Sequence, residues 1–202
     1  MNSLKARLTF SALLVILLIL PVIGITLNNA FESHIKTSIK NELIAYSYSI
    51  LAVTEIENKH IIMPEQLLEN RFNVIDSGLY ALIQKSTSNN QNTGDDNLWL
   101  SSSALTLEST IYKTLNRPNV GETSFYEVLN DTKQYFVYTI TVSFNEASHP
   151  LGITLSILID QTDFNLSVEK FKYQLFLWLV LLAFLLIVVQ VIWLLWTLKP
   201  LK

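Results

Sequence analysis

The 202-residue chain is half hydrophobic, carries 14 basic and 17 acidic residues for a net charge of −3, and contains no cysteine. The lack of cysteine excludes cysteine-ligated zinc sites and cysteine nucleophiles. We expect no nucleic-acid partner for a chain with this acidic balance.

Two uncharged apolar runs lie near the chain ends, Leu8 to Leu27 and Leu175 to Leu198. About 20 helical residues span the hydrocarbon core of a bilayer, so each run is long enough for a transmembrane helix. All 17 acidic residues lie between the runs, where ten bases leave a net charge of −7, and the other four bases flank the runs on their outer sides. Because Lys and Arg in short loops stay cytoplasmic, both termini should be cytoplasmic.

We therefore predict a two-pass membrane protein whose central domain is exported. A cleaved signal peptide ending near Asn28 is the alternative, but the first apolar run is long for a signal core and Asn is unusual at such a site. The predicted parts are residues 1–7 (cytoplasmic), 8–27 (transmembrane helix), 28–172 (periplasmic domain), 173–198 (transmembrane helix) and 199–202 (start of a cytoplasmic linker).

After the first run, apolar residues recur every three to four positions from Phe31 to Ile50, which predicts a helix leaving the membrane. Gly and Pro are absent from Ala30 to Met63, so we expect one continuous rod over this stretch. Its apolar stripe is either core or a dimer seam. Pro64 should end the rod and start a short helical turn.

The middle of the chain predicts an antiparallel sheet. Five segments have the composition or alternation of strands, and turn residues separate them into two hairpins with one further strand beside the second hairpin. A helix is expected between the hairpins, at Leu105 to Leu115. The predicted strands are Leu79 to Gln84, Leu98 to Ser101, Thr123 to Leu129, Gln134 to Val142 and Gly152 to Asp160.

From Asp163, a plausible N-cap, the pattern returns to helix and continues into the second apolar run. The predicted class is α+β: a central antiparallel sheet flanked by two transmembrane helices. This order of elements resembles the extracytoplasmic PAS-like sensor domain of bacterial sensor kinases, often called the PDC fold.

Short motifs along the chain resemble the PhoQ-type branch of sensor histidine kinases. They occur in the family's order and spacing, from the basic lead-in before the first membrane helix to the Pro that begins a HAMP linker. The motifs are Ser3 to Leu8, Glu57 to Lys59, Pro64-Glu65, Leu98 to Ser101 and Trp196 to Pro200.

The resemblance implies the input half of a two-component sensor kinase in the bacterial inner membrane, with its central domain in the periplasm. It further implies a homodimer, in contact with membrane lipids, that controls a cytoplasmic response regulator. The chain itself holds no kinase domain, so ATP would bind only to an absent portion, and the chain needs no cofactor of its own. No catalytic motif is evident in the sequence.

Two alternatives stay open. One is a membrane-anchored, non-catalytic binding or adaptor protein. The other is a receptor with a chemotaxis or cyclic-dinucleotide output domain. The reading frame beyond Lys202 would discriminate the kinase from the adaptor, because a HAMP region and a His-containing hairpin would indicate a kinase and a stop codon would indicate the adaptor.

The PhoQ family senses divalent cations and cationic peptides through a dense acidic surface. The comparable stretch here supplies Glu122, Glu127, Asp131 and Glu146, which are the candidate ligands for Mg²⁺ or Ca²⁺. Hard cations require several converging oxygen atoms, and these four carboxylates are scattered. Acid sensing by the three histidines, which titrate near neutrality, is a further hypothesis.

Three residues are predicted to take part in signal transmission. Gln190 is a strongly polar side chain inside the second apolar run, where its amide needs a partner and forms either a polar switch or a static dimer contact. Pro21 weakens the first membrane helix, and Pro200 opens the linker that follows the second.

Overall fold

A computed structural model describes residues 2–57, 60–86, 97–130, 133–145 and 150–197. The chain divides into two compact units. The helical unit comprises Met1–Lys36 and Phe164–Lys202, and the sheet domain comprises Thr37–Asp163. The elements, in chain order, are α1 (Asn2–Ala52), β1 (Glu55–Glu57), β2 (His60–Ile62), β3 (Leu79–Lys85), β4 (Asn97–Leu100), α2 (Ser109–Thr114), β5 (Thr123–Asn130), β6 (Lys133–Asn145), β7 (Pro150–Asp160) and α3 (Thr162–Thr197), with 3₁₀ helices at Asn70–Asn73 and Ser102–Thr106.

In the helical unit, α1 and α3 are both long and apolar enough to cross a membrane, as the two uncharged runs predict. The rings of Phe31 and Phe171 stack with their centroids 3.8 Å apart. At Gly24, an added Cβ would lie 2.8 Å from Leu179 Cδ1, so the absence of a side chain allows the two helices to approach closely. These features are compatible with a two-pass membrane protein.

The expectation of a continuous rod to Met63 is wrong, because α1 ends at Ala52. The Thr54 hydroxyl donates to the Ile50 carbonyl (2.8 Å), and β1 and β2 then pair antiparallel. Val53, Thr54 and the isoleucines that follow are β-branched, which favours strand over helix. The absence of Gly and Pro was therefore not sufficient to extend the helix.

The helical stripe of α1 that lies in the sheet domain contributes to the core. Leu43 and Ile50 are buried, and the ring of Tyr46 packs edge-on against Phe72 with centroids 5.7 Å apart. The turn predicted at Pro64 is not helical; the first 3₁₀ helix begins six residues later, at Asn70.

The five-stranded sheet is antiparallel throughout, with the order β4-β3-β7-β6-β5. Both predicted hairpins are present, and β6 and β7 extend beyond the predicted bounds. The first and last long strands, β3 and β7, are neighbours at the centre. This non-local pairing joins the two hairpins into one sheet and brings residues that are distant in sequence to the same end of it.

One face of the sheet is covered by the second 3₁₀ helix and by α2, which together replace the single helix predicted at Leu105 to Leu115. Tyr80, Val137 and Leu158 from the sheet pack there against Ile111. The covering segment is held by Tyr112, whose hydroxyl donates to the carbonyls of two residues that precede α2, at 3.0 and 3.2 Å.

The covered face becomes polar toward the other end of the sheet. Thr139 and Ser156 lie opposite each other on β6 and β7, and Thr141 lies opposite Thr154. All four are fully buried. The hydroxyls of Thr141 and Thr154 are 2.9 Å apart, whereas those of Thr139 and Ser156 have no hydrogen-bond partner within the described parts of the chain.

Candidate functional site

A cavity of about 220 Å³ lies between the sheet and its covering segment, where the end of β5 and the start of β6 meet the residues that join the second 3₁₀ helix to α2. Its wall combines buried aromatic and aliphatic side chains with charged groups at the rim. The lining residues with charged or polar side chains are Asp76, Tyr80, Thr106, Glu108, Asn130, Lys133 and Tyr135.

Local structure explains why these groups converge. Asp76 lies just before β3 with a φ of 56°, a left-handed conformation that Asp tolerates better than most residues. Tyr80 and Tyr135 point from β3 and β6 to the covered face, with ring centroids 6.1 Å apart. Glu108 directly precedes α2. The strand order therefore brings the site together: β3 and β6 lie close to each other because both are neighbours of β7.

The carboxylates at the rim are held by hydrogen bonds. The Tyr80 hydroxyl donates to Asp76 Oδ1 (2.9 Å). Asn130 Nδ2 donates to Glu108 Oε2 (3.1 Å), and Thr110 Oγ1 lies 3.2 Å from the same oxygen. Charge-assisted hydrogen bonds of this kind fix where the negative charges lie.

Lys133 lies between two carboxylates, at distances from both that are longer than a hydrogen bond. Its Nζ is 3.9 Å from Asp76 Oδ1 and 4.0 Å from Asp160 Oδ2. The side chains of Lys133 and Asp76 are more than half exposed, so the ion pair between them contributes little to stability. Among the residues that line the cavity, the carboxylates of Asp76 and Glu108 outweigh Lys133 by one negative charge, which favours cationic ligands.

The two tyrosines are neutral at physiological pH. Burial, together with the hydrogen bond to Asp76 and its charge, raises the pKa of Tyr80. Burial and the charges of Asp160, Asp76 and Glu108 raise the pKa of Tyr135 to about 12. Tyr135 is only 4% exposed, and its hydroxyl forms no hydrogen bond with any residue that the structure describes. Its oxygen is therefore ready to accept a hydrogen bond from a bound molecule.

The lining residues can bind a ligand through hydrogen bonds and charge, but they do not form a catalytic pair. The neutral phenols and solvated carboxylates provide acceptors, and no nucleophile lies beside a base among the lining residues. Within the described ranges, no group of three or more His, Asp or Glu side chains could hold a metal ion.

The predicted cation ligands do not converge where they can be located. Glu122 is exposed and accepts hydrogen bonds from the backbone and side-chain amides of Asn119, both at 3.2 Å. Glu127 is exposed on β5, five residues further along a largely extended backbone, or about 16 Å away. Asp131 and Glu146 lie outside the described residues, although Asp131 immediately follows Asn130 of the cavity.

Two of the residues predicted for signal transmission lie in the helical unit. Gln190 is half-buried on α3, and Pro21 lies within α1, which continues through it. Pro200 lies outside the described residues. Asn28 Oδ1, near the end of the first apolar run, is buried and has no hydrogen-bond partner among the described atoms.

Comparisons of the chain with models of protein families, with curated proteins and with solved structures find no match.

Sequence reasoning missed the cavity. It singled out none of the lining residues, because each is an ordinary turn or strand residue in its local context. The one available signal was Asp131, a candidate for its charge, which directly follows the lining residue Asn130 in the sequence.

Proposed function

We propose that this chain receives a stimulus in the periplasm and transmits it across the inner membrane, as the input half of a two-component sensor histidine kinase of the PhoQ type. The sheet domain would be a PAS-like sensor, and the chain would act as a homodimer with both termini in the cytoplasm. The resemblance of the sequence motifs supports the kinase assignment. The α+β domain between two long apolar helices supports the receptor assignment.

The observation that carries the proposal is the contact between the cavity and the start of α3. Asp160 ends β7, and its Oδ1 accepts hydrogen bonds from the backbone amide (2.8 Å) and hydroxyl (2.6 Å) of Thr162, the first residue of α3. Its Oδ2 faces Lys133 of the cavity. One carboxylate thus joins the candidate binding site to the helix that runs on into the second apolar segment.

In this proposal, a stimulus changes the relative stability of two arrangements of the sensor, and α3 carries the difference through the membrane. A stimulus can shift such an equilibrium only by binding the two arrangements with different affinity. Gln190 would then either exchange partners between the arrangements or hold the helices together in both. Divalent cations, pH and cationic peptides remain predicted stimuli.

A chimera tests the proposal. Residues 1–198 are fused to the HAMP and kinase portion of a PhoQ-type kinase, and phosphorylation of the response regulator is measured at equal membrane abundance. We expect Asp160→Asn to change the output, because the neutral amide weakens both contacts of the carboxylate. Glu65→Gln, an exposed change outside the cavity, is the matched control and should leave the output unchanged.

Gln190→Leu in the same chimera separates the two interpretations of that residue. If output is unchanged in both stimulated and unstimulated cells, Gln190 is not a switch. If Asp160→Asn and the control both behave as the unsubstituted chimera, the Asp160 carboxylate does not connect the sheet domain to the kinase, and the observation that carries the proposal is refuted.

A further inference from the structure

The cavity between β3, β6 and the residue before α2 has the features of a site for a small organic cation. It combines a small, partly open volume, lining carboxylates that outnumber the lining lysine, and neutral aromatic side chains. We propose that it binds a short-chain primary amine in its protonated form, with the ammonium group between Asp76 and Glu108. The inference deepens the proposed sensory function, on which its biological meaning rests, by naming the chemical class of the ligand.

The charge and its geometry indicate an ammonium group. Ammonium carries three N–H donors and no acceptor, so it requires several oxygen atoms around it. Asp76 and Glu108 both line the cavity and supply carboxylate oxygens from two separate segments, one just before β3 and the other just before α2. Both carboxylates are oriented by donors of the protein, Tyr80 and Asn130, which keeps the acceptors in place before a ligand arrives.

Tyr135 supplies an independent observation. Its side chain is almost wholly buried and lines the cavity, yet its hydroxyl forms no hydrogen bond with the described residues. The hydroxyl is therefore available to a molecule in the cavity and can accept a hydrogen bond from its N–H group. Tyr80 and Tyr135 both line the cavity and add aromatic surface, with which cations interact favourably.

The size and the apolar wall limit the rest of the ligand. The volume of about 220 Å³ is below the roughly 300–1,000 Å³ typical of sites for drug-sized molecules. Leu107 and Ile111 line the cavity beside the charged groups and offer a surface for a few methylene groups. A short alkyl chain carrying one or two ammonium groups satisfies both conditions.

The test is direct binding to the purified full chain in detergent, measured by calorimetry and by the thermal unfolding of the sheet domain. The probes are n-butylamine and 1,4-diaminobutane, with n-butanol as the uncharged analogue of the same length and MgCl₂ as an inorganic cation. We expect saturable binding and a raised unfolding temperature with the amines, and neither with n-butanol.

Isosteric variants locate the site. Asp76→Asn, Glu108→Gln and Tyr135→Phe should each weaken amine binding about tenfold or more, because each removes a charge or an acceptor that contacts the ammonium group. Asn is well tolerated in the left-handed conformation of residue 76, so the first variant should fold. Glu65→Gln is the control and should bind the amine as the unsubstituted chain does.

The outcomes separate this inference from the proposed function. The amine site is overturned by any of three results: no binding of the amines, equal effects of n-butanol, or stabilisation by MgCl₂ alone. The sensor function would then still be tested by the chimera. Binding that the three variants do not weaken would place the amine elsewhere and overturn the site. Amine binding by the chain with no change in kinase output would support the site and contradict the sensory role.

Discussion

Two buried threonines on the same strand are expected to respond in opposite ways to the same substitution. Thr139 and Thr141 are both fully buried on β6 and face the same side of the sheet. The Thr141 hydroxyl is 2.9 Å from that of Thr154, whereas the Thr139 hydroxyl has no partner among the described atoms. Valine has nearly the shape of threonine and an equal preference for strands, so each change removes only the hydroxyl.

The signs follow from the cost of burying polar groups. An unpaired buried hydroxyl costs about 1–3 kcal/mol, so Thr139→Val should raise the free energy of unfolding by about 1–2 kcal/mol. Thr141→Val leaves the Thr154 hydroxyl unpaired and should lower it by about 1–2 kcal/mol. For a domain of this size, the two variants should differ by about 10 °C in unfolding temperature.

Urea denaturation of the full chain in detergent, followed by the circular dichroism of the sheet, measures these differences as shifts in midpoint at constant m-value. The double variant Thr141→Val/Thr154→Val removes both partners of the paired hydroxyls and should recover most of the loss. If Thr139→Val destabilises the domain as much as Thr141→Val, then the Thr139 hydroxyl has a partner in the folded protein and the reasoning is refuted.

Three further predictions concern the sheet domain. Tyr112→Phe removes the hydrogen bonds that hold the covering segment and should lower the free energy of unfolding by about 1–2 kcal/mol, measured by urea denaturation. Ser101→Ala removes the hydroxyl that accepts from the Ala81 amide at 3.0 Å, and the buried amide left behind should cost about 1–3 kcal/mol in the same assay. Burial raises the pKa of Tyr126 and of Tyr135 to about 12, so the folded state retains protons that the unfolded state loses above pH 10. The free energy of unfolding should therefore fall between about pH 10 and 12. Replacing either tyrosine with Phe should reduce this fall. A pH titration of the unfolding midpoint that is flat in this window would contradict the last prediction.

The sequence predicted those parts of the fold that depend on local patterns. Alternation located the strands of both hairpins, and the two uncharged runs located α1 and α3. The end of α1 was predicted wrongly because no Gly or Pro marks it, and the β-branched residues after Ala52 decided the outcome together with the pairing of β1 and β2. The sequence pattern of one segment does not show whether another segment will pair with it as a strand.

The candidate site could not be predicted for a related reason. Asp76 and Lys133 are 57 positions apart, and they meet only because β7 pairs with both β3 and β6. Alternation predicts which side chains of a strand share a face, but it does not predict strand order. The charges of the cavity are therefore unremarkable in the sequence and become a site only in the folded sheet.

The geometry at Lys133 also sets a limit on how strongly the cavity alone could influence α3. If an ammonium ligand pairs with Asp76, Lys133 would pair with Asp160 alone. The other oxygen of Asp160 accepts a hydrogen bond from the first residue of α3. Exchanging one solvated ion pair for another changes the free energy by about 1 kcal/mol at most, or about fivefold in an equilibrium. A coupling between amine binding and kinase output that greatly exceeds fivefold would therefore require contacts beyond this lysine. A coupling of about fivefold that Asp160→Asn abolishes would mean that the carboxylate is the connection.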